Sequence, residues 1–239
     1  MELDSLGLQH KLIVSCQALP DEPLHSSWIM GKMALAAKQG GAAGVRANSV
    51  DDIMEIRKQV ELPVIGIIKR NYGEHPVFIT PTLREIDELA TTGCEIVALD
   101  ATSRPRPDGM ELAELVRQIR LRYPQLLLMA DVSTVEEGVE AQRLGFDLVS
   151  ATLVGYTEYT QGQKVYADDF AILKEMVRQI RTPIVAEGNI LTPEMAARCL
   201  EIGVYSVVVG GAITRPQQIT GRFVEQMNGV QSASVTGQE

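Results

Sequence analysis

The chain has 239 residues, 45% of them hydrophobic and 22% charged, and a formal net charge of −9. That length suits one domain, and the composition excludes a largely disordered polypeptide. The negative balance excludes the broad basic surface that nonspecific nucleic-acid or anionic-membrane binding needs, so any anion site must be local.

The N-terminal stretch MELDSLGLQHKLIVS starts acidic and lacks a long apolar run, which speaks against a signal peptide or a membrane span. LIVSCQ, at its end, is the first of eight short apolar runs rich in β-branched residues. Strands are predicted near residues 12–17, 43–47, 64–69, 96–101, 126–132, 148–153, 184–188 and 206–210. Their interiors are continuously apolar, as a parallel sheet buried on both faces requires. Helical segments alternate with them. Four of these end at Gly41, Gly93, Gly145 and Gly203, spaced by 52, 52 and 58 residues, which corresponds to two strand–helix units of about 25 residues each time. Helix starts are marked by Thr82 with Glu85, by Thr134 with Glu137, and by Thr192 before Pro193. Leu112, Leu115, Val116 and Ile119 form one apolar stripe at helical spacing; Phe170, Leu173, Val177 and Ile180 form another. No GxGxxG follows the first strand, which argues against a dinucleotide-binding open sheet. The expected architecture is a single (β/α)8 TIM barrel over residues 1–230, with the small, polar stretch 231–239 a disordered tail.

Cys16, Cys94 and Cys199 are odd in number and include no CxxC pair, while His10, His25 and His75 show no ligand spacing. Neither a disulfide framework nor a metal site is expected, and a reducing cytoplasm fits this usage.

In such barrels the chemistry sits at the C-terminal strand ends. Those ends present Gln17, Arg46, Lys69, Asp100, Asp131, Thr152, Glu187, Gly210 and Gly211. Any one of them is as readily an ordinary strand terminus; the set as a whole points to a site. Lys69 follows two isoleucines, and an amine at the mouth of an apolar barrel is a usable acid or base once desolvation lowers its pKa. Its competing reading is a structural ion pair with Glu187 or Asp131. VAEGNI and VVVGGAITRP follow strands seven and eight, where barrels commonly bind phosphate through backbone N–H groups. Gly188, Gly210, Gly211 and Arg215 are the candidates there. The SRPRPDG loop, with Arg104 and Arg106, is expected to be solvated rather than a substrate lid.

The runs SCQALPDEPLHS, GVRANS, IGIIKR, ALDAT, MADVST, VAEGNI and VVVGGAITRP, in that order over residues 15–216, strongly resemble the N-acetylmannosamine-6-phosphate 2-epimerases. The resemblance implies interconversion of N-acetylmannosamine 6-phosphate and N-acetylglucosamine 6-phosphate in bacterial use of sialic acid, with neither a metal nor an organic cofactor. It implies Lys69 as the catalytic lysine, with Glu187 as its partner carboxylate. It places Gln17, Arg46 and Asp131 at substrate-contacting positions, and Gly188, Asn189, Gly210, Gly211 and Arg215 on the phosphate side. The expected partners are the phosphorylated amino sugar and, through oligomerisation, other copies of the chain. Two readings remain beside it: another sugar-phosphate reaction, such as ketose phosphate epimerisation or an aldol step through a Lys69 Schiff base, and a non-catalytic phosphosugar sensor.

Overall fold

A computed structural model describes residues 2–235 of the chain. Eight parallel strands close into a barrel in sequence order: β1 (Leu12–Cys16), β2 (Gly44–Asn48), β3 (Val64–Ile67), β4 (Ile96–Asp100), β5 (Leu127–Asp131), β6 (Leu148–Ser150), β7 (Ile184–Ala186) and β8 (Ser206–Val209). β8 pairs back onto β1, with Leu12 opposite Val207. Around them run α1 (Ser27–Gln39), α2 (Val50–Gln59), α3 (Leu83–Ala90), α4 (Leu112–Arg122), α5 (Val135–Leu144), α6 (Ala167–Gln179), α7 (Pro193–Ile202), the short α8 (Gly211–Thr214) and α9 (Pro216–Val235).

The strand pattern settles which side chains meet at the barrel mouth. Residues of one parity, among them Ile13, Ile65, Ile67, Ala98, Met129 and Val208, fill the barrel interior. Their alternates, such as Val45, Val97, Leu128 and Val149, pack outward with the helices. Both faces are buried, hence the unbroken apolar runs. Continuing the interior parity past the last apolar residue gives Gln17, Arg46, Lys69, Asp100, Asp131, Thr152, Glu187 and Gly210. One end of the barrel therefore gathers almost every polar strand terminus.

The helix boundaries follow their local chemistry. Thr82 and Thr134 form capping boxes with Glu85 and Glu137, and Thr192 accepts the Met195 N–H. Gly145 and Gly203 end α5 and α7 in the left-handed region, where a side chain would be strained. Leu115, Val116 and Ile119 are buried on α4, as their spacing predicts. In α6 Phe170 and Leu173 are buried, but Asp168, Asp169 and Phe170 adopt φ of 51, 54 and 60°, so the stripe begins in a left-handed turn.

Three expectations need correction. β6 and β7 stop at Ser150 and Ala186, short of residues 153 and 188: after β6 the chain enters a turn in which Val154 N–H donates to Ala151 O at 3.1 Å, and after β7 it bends at Gly188, φ 104°. α9 runs on through Val235, into the stretch expected to be a disordered tail; no Gly or Pro interrupts it after Gly229, and residues 236–239 lie outside the described ones. Arg104 and Arg106 are not solvated. Arg104 pairs with Asp100 at 2.6 Å, and buried Arg106 donates to the carbonyls of Pro81 and Asp100. Among the described residues no helix is long and apolar enough to cross a membrane.

Candidate active site

The floor of the barrel mouth is an ion-pair network. Arg46, 1% exposed, grips Asp131 with both ends of its fork, Nη1 to Oδ1 at 3.0 Å and Nη2 to Oδ2 at 2.6 Å. Its Nη1 also donates to Glu187 Oε2 at 2.6 Å. Thr152 Oγ1 lies 2.8 Å from Asp131 Oδ1 and 3.1 Å from Glu187 Oε2, and Ser150 Oγ is 2.8 Å behind it. A charge buried this deeply must be paired and hydrogen-bonded. Burial works against the Arg46 charge, but the two carboxylates hold its pKa above the ordinary range. Burial raises the Glu187 carboxyl, with Arg46 opposing.

Above this floor sits Lys69, half-buried. Its backbone N–H donates to Asn48 Oδ1 at 2.8 Å, and it pairs antiparallel with Ile79. Burial, followed by the positive charges of Arg46 and Arg215, pushes its ammonium down to about 8, against the pull of Glu187 and Asp131. A lysine in that range exchanges protons readily near neutral pH, which an ordinary surface lysine does not.

Lys69 and Glu187 line a cleft of about 530 Å³ with Gln17, Thr152, Gly188, Asn189, Gly210, Gly211 and Arg215. Gly188 turns at φ 104°, and a Cβ there would meet Val165 Cγ2 at 3.3 Å, so glycine alone fits the bend after β7. Asn189 follows at φ 55°, its amide 3.5 Å from Tyr156 OH. Arg215 Nε donates to Glu22 Oε1 at 2.6 Å, while Glu22 Oε2 accepts the Leu19 N–H at 2.7 Å. Despite the cost of burial, Arg215 holds the Glu22 carboxyl below its usual range. Gln17 Nε2 donates to Ser15 Oγ at 2.8 Å, and its buried Oε1 meets no donor among the described residues.

The family described as "Putative N-acetylmannosamine-6-phosphate epimerase" matches residues 30–229. A relative from Enterobacter sp. (strain 638), also described as a 2-epimerase of this substrate, is 63% identical over 217 residues, 91% of this chain and 92% of its own. One from Shouchella clausii is 59% identical over 92% of this chain and 96% of its own. The solved structure of the N-acetylmannosamine-6-phosphate 2-epimerase from Clostridium perfringens is 54% identical, with a TM-score of 0.88 over 94% of this chain and 96% of its own. The chain belongs to the N-acetylmannosamine-6-phosphate epimerase family. A thiamine phosphate pyrophosphorylase from Pyrococcus furiosus, 20% identical with a TM-score of 0.57 over 85% of this chain and 87% of its own, shares the fold alone.

In this epimerase-family chain the residues predicted from strand ends fall at two depths. Lys69, Glu187, Gln17, Gly188, Asn189, Gly210, Gly211 and Arg215 face the cleft, whereas Arg46 and Asp131, expected to touch substrate, lie beneath it and do not line it. Their spacing in sequence reports parity but not depth. Glu22, Phe78, Tyr156 and Arg222 were not foreseen. Glu22 meets Arg215 across 193 positions, and no local pattern signals that pairing. A larger hollow of about 730 Å³ lies outside the barrel, between residues 101–113 and α5, and none of the predicted site residues lines it. Among the described residues no cluster of three or more His, Cys, Asp or Glu is placed to hold a metal.

Proposed function

We propose that this chain interconverts N-acetylmannosamine 6-phosphate and N-acetylglucosamine 6-phosphate by removing and returning the proton at C2, with Lys69 as the acid–base group. The observation that carries this reading is the lowered Lys69 amine, lining one cleft with Glu187, Gly210, Gly211 and Arg215. The two sugars differ only at C2. In the open-chain form that carbon adjoins the C1 aldehyde, so its proton leaves to give an enolate.

Glu187 orients the Lys69 amine or relays its proton. Beneath the cleft, Arg46 acts through Glu187 by fixing its position and favouring its ionised form against burial and the nearby Asp131 charge, while Asp131 holds Arg46 in place. Gln17 lines the cleft, and its side-chain amide suits a sugar hydroxyl. The backbone N–H groups of Gly211 and Ala212, which line the cleft, together with Arg215, suit the phosphate. In deuterated water, proton NMR should show deuterium entering C2 as the epimer forms, with the rate unchanged by chelator. Epimer formed with the original C2 hydrogen wholly retained counts against this mechanism. A rate abolished by chelator and restored by a divalent ion would overturn the metal-free reading.

Two further points belong to this reading. Cys16, Cys94 and Cys199 are free and buried, which suits work in a reducing cytoplasm. A groove of about 430 Å³, lined by Leu12, Pro193, Leu200, Val207 and Val209, opens beside β8 and β1, and residues 216–229 of α9 are not among its described lining. α9 instead exposes Phe223, Val224 and Met227 at 68, 50 and 65%. Its apolar side chains suit that groove on a second copy, making the working unit an oligomer.

A further inference from the structure

Between β3 and α3 the chain doubles back as a hairpin. Arg70 N–H donates to Phe78 O at 2.9 Å and Thr80 N–H to Ile68 O at 2.8 Å, bracketing the Lys69–Ile79 pair. Asp100 N–H then donates to Ile79 O at 3.0 Å, which fastens the returning arm to β4. Thr80 ends that arm at φ 45°, a conformation that a β-branched residue avoids. It is fully buried, and its hydroxyl accepts the Ile68 N–H at 3.2 Å. Backbone strain of this kind persists only where its surroundings impose it, and it clusters at functional sites. Residues opposite each other in an antiparallel bridge project to the same face, so Ile79 stands beside the Lys69 side chain. Phe78, Ile79 and Leu153 line the cleft together with Lys69.

We propose that Phe78, Ile79 and Leu153 form the subsite for the N-acyl group of the substrate. The inference rests on the reading that Lys69 exchanges the proton at C2 of an N-acylated hexosamine phosphate. C2 must then come within roughly 3 Å of Nζ, directly or through one water. The acyl group is a trans amide, which places its methyl about 3.8 Å from C2, the same span as between consecutive Cα atoms. That methyl cannot reach far from Lys69. On that reading the phosphate end of the sugar goes to Gly210, Gly211 and Arg215, and Glu187 and Thr152 add polar groups to the lining. On the Lys69 side, the hairpin pair and Leu153 offer the apolar surface. A free amine at C2 would instead be a cation sharing the cleft with Lys69 and Arg215, so the acyl group both removes a repulsion and fills a pocket. The same wall desolvates the Lys69 amine, joining substrate selection to the tuning of the base.

The test measures kcat/KM for the N-acetyl, N-propionyl and N-butyryl forms of mannosamine 6-phosphate, with the wild-type protein and with Phe78→Ala. Circular dichroism and inhibition by orthophosphate check the fold and the anion side. For the wild type each added methylene should cost roughly tenfold or more, because a closed apolar pocket resists extra volume. Phe78→Ala should flatten or reverse that order while inhibition by orthophosphate stays unchanged. The same acyl-size ranking in both proteins overturns the subsite. A wild-type protein that fails to epimerise the N-acetyl sugar sinks the functional reading itself and is seen separately. If Phe78→Ala does not fold, Phe78→Leu serves in its place and should shift the ranking in the same direction.

Discussion

At the residue scale, Lys69 and Arg46 are two cations a few side chains apart with opposite expectations. Lys69→Ala should lower kcat by roughly 10²–10⁴-fold, the usual contribution of a general acid–base group. Lys69→Arg should not restore it, because a guanidinium stays protonated. The free amine grows as pH rises through about 8, so kcat/KM in the direction where Lys69 removes the proton should fall below that pH. An apparent pKa near that of an ordinary lysine would remove the lowered amine from the account. The linked effect on stability has a definite sign. A lysine whose folded pKa lies below its unfolded value destabilises the fold at pH below about 8, and the penalty fades as pH climbs to 10.5. Lys69→Met should therefore raise Tm at pH 7 more than at pH 10 while abolishing C2 exchange, which a purely structural lysine would not do. Arg46→Met should do the reverse. It leaves Asp131 and Glu187 side by side without their cation, a loss of about 3–5 kcal/mol in denaturant unfolding. Wild-type stability in that variant would mean the network is idle.

At the element scale, the loop between β1 and α1 and the junction of α8 and α9 meet through Glu22 and Arg215. The carboxylate takes Nε and leaves the two Nη groups for an anion in the cleft. Arg215→Ala should raise KM for the phosphorylated sugar while leaving kcat near wild type, since it removes binding common to ground and transition states. Glu22→Gln should raise KM less, because Nε keeps an acceptor but loses the charge. A fall in KM on Glu22→Gln would show instead that the carboxylate competes with the phosphate. The contrast between this pair and the strands shows what the sequence makes legible. Strands, caps and the interior parity of Lys69, Asp131 and Glu187 are written in neighbours one to four residues apart. Glu22 with Arg215, Arg106 on the Pro81 carbonyl, and Ile79 beside Lys69 depend on how loops return. The depth of Arg46 was hidden too, because the barrel's tilt and the reach of a long side chain decide whether a strand-end residue faces the cleft or lies under it.

At the scale of the whole molecule, the barrel closes through β8 and β1, and the outer side of that seam is the apolar groove lined by Leu12, Pro193, Leu200, Val207 and Val209. If a neighbouring copy covers the seam, each fold borrows part of its shell, and stability obeys mass action. The melting temperature should then climb with protein concentration, and a variant ending at Thr214 should lose that dependence along with the larger species in sedimentation. A concentration-independent Tm, with a monomer throughout, would leave the seam without a partner. If a second copy does cover the seam, abundance becomes a stabilising variable: a cell that makes little of this protein would hold it nearer its unfolding threshold than a cell that makes much, with no change in sequence.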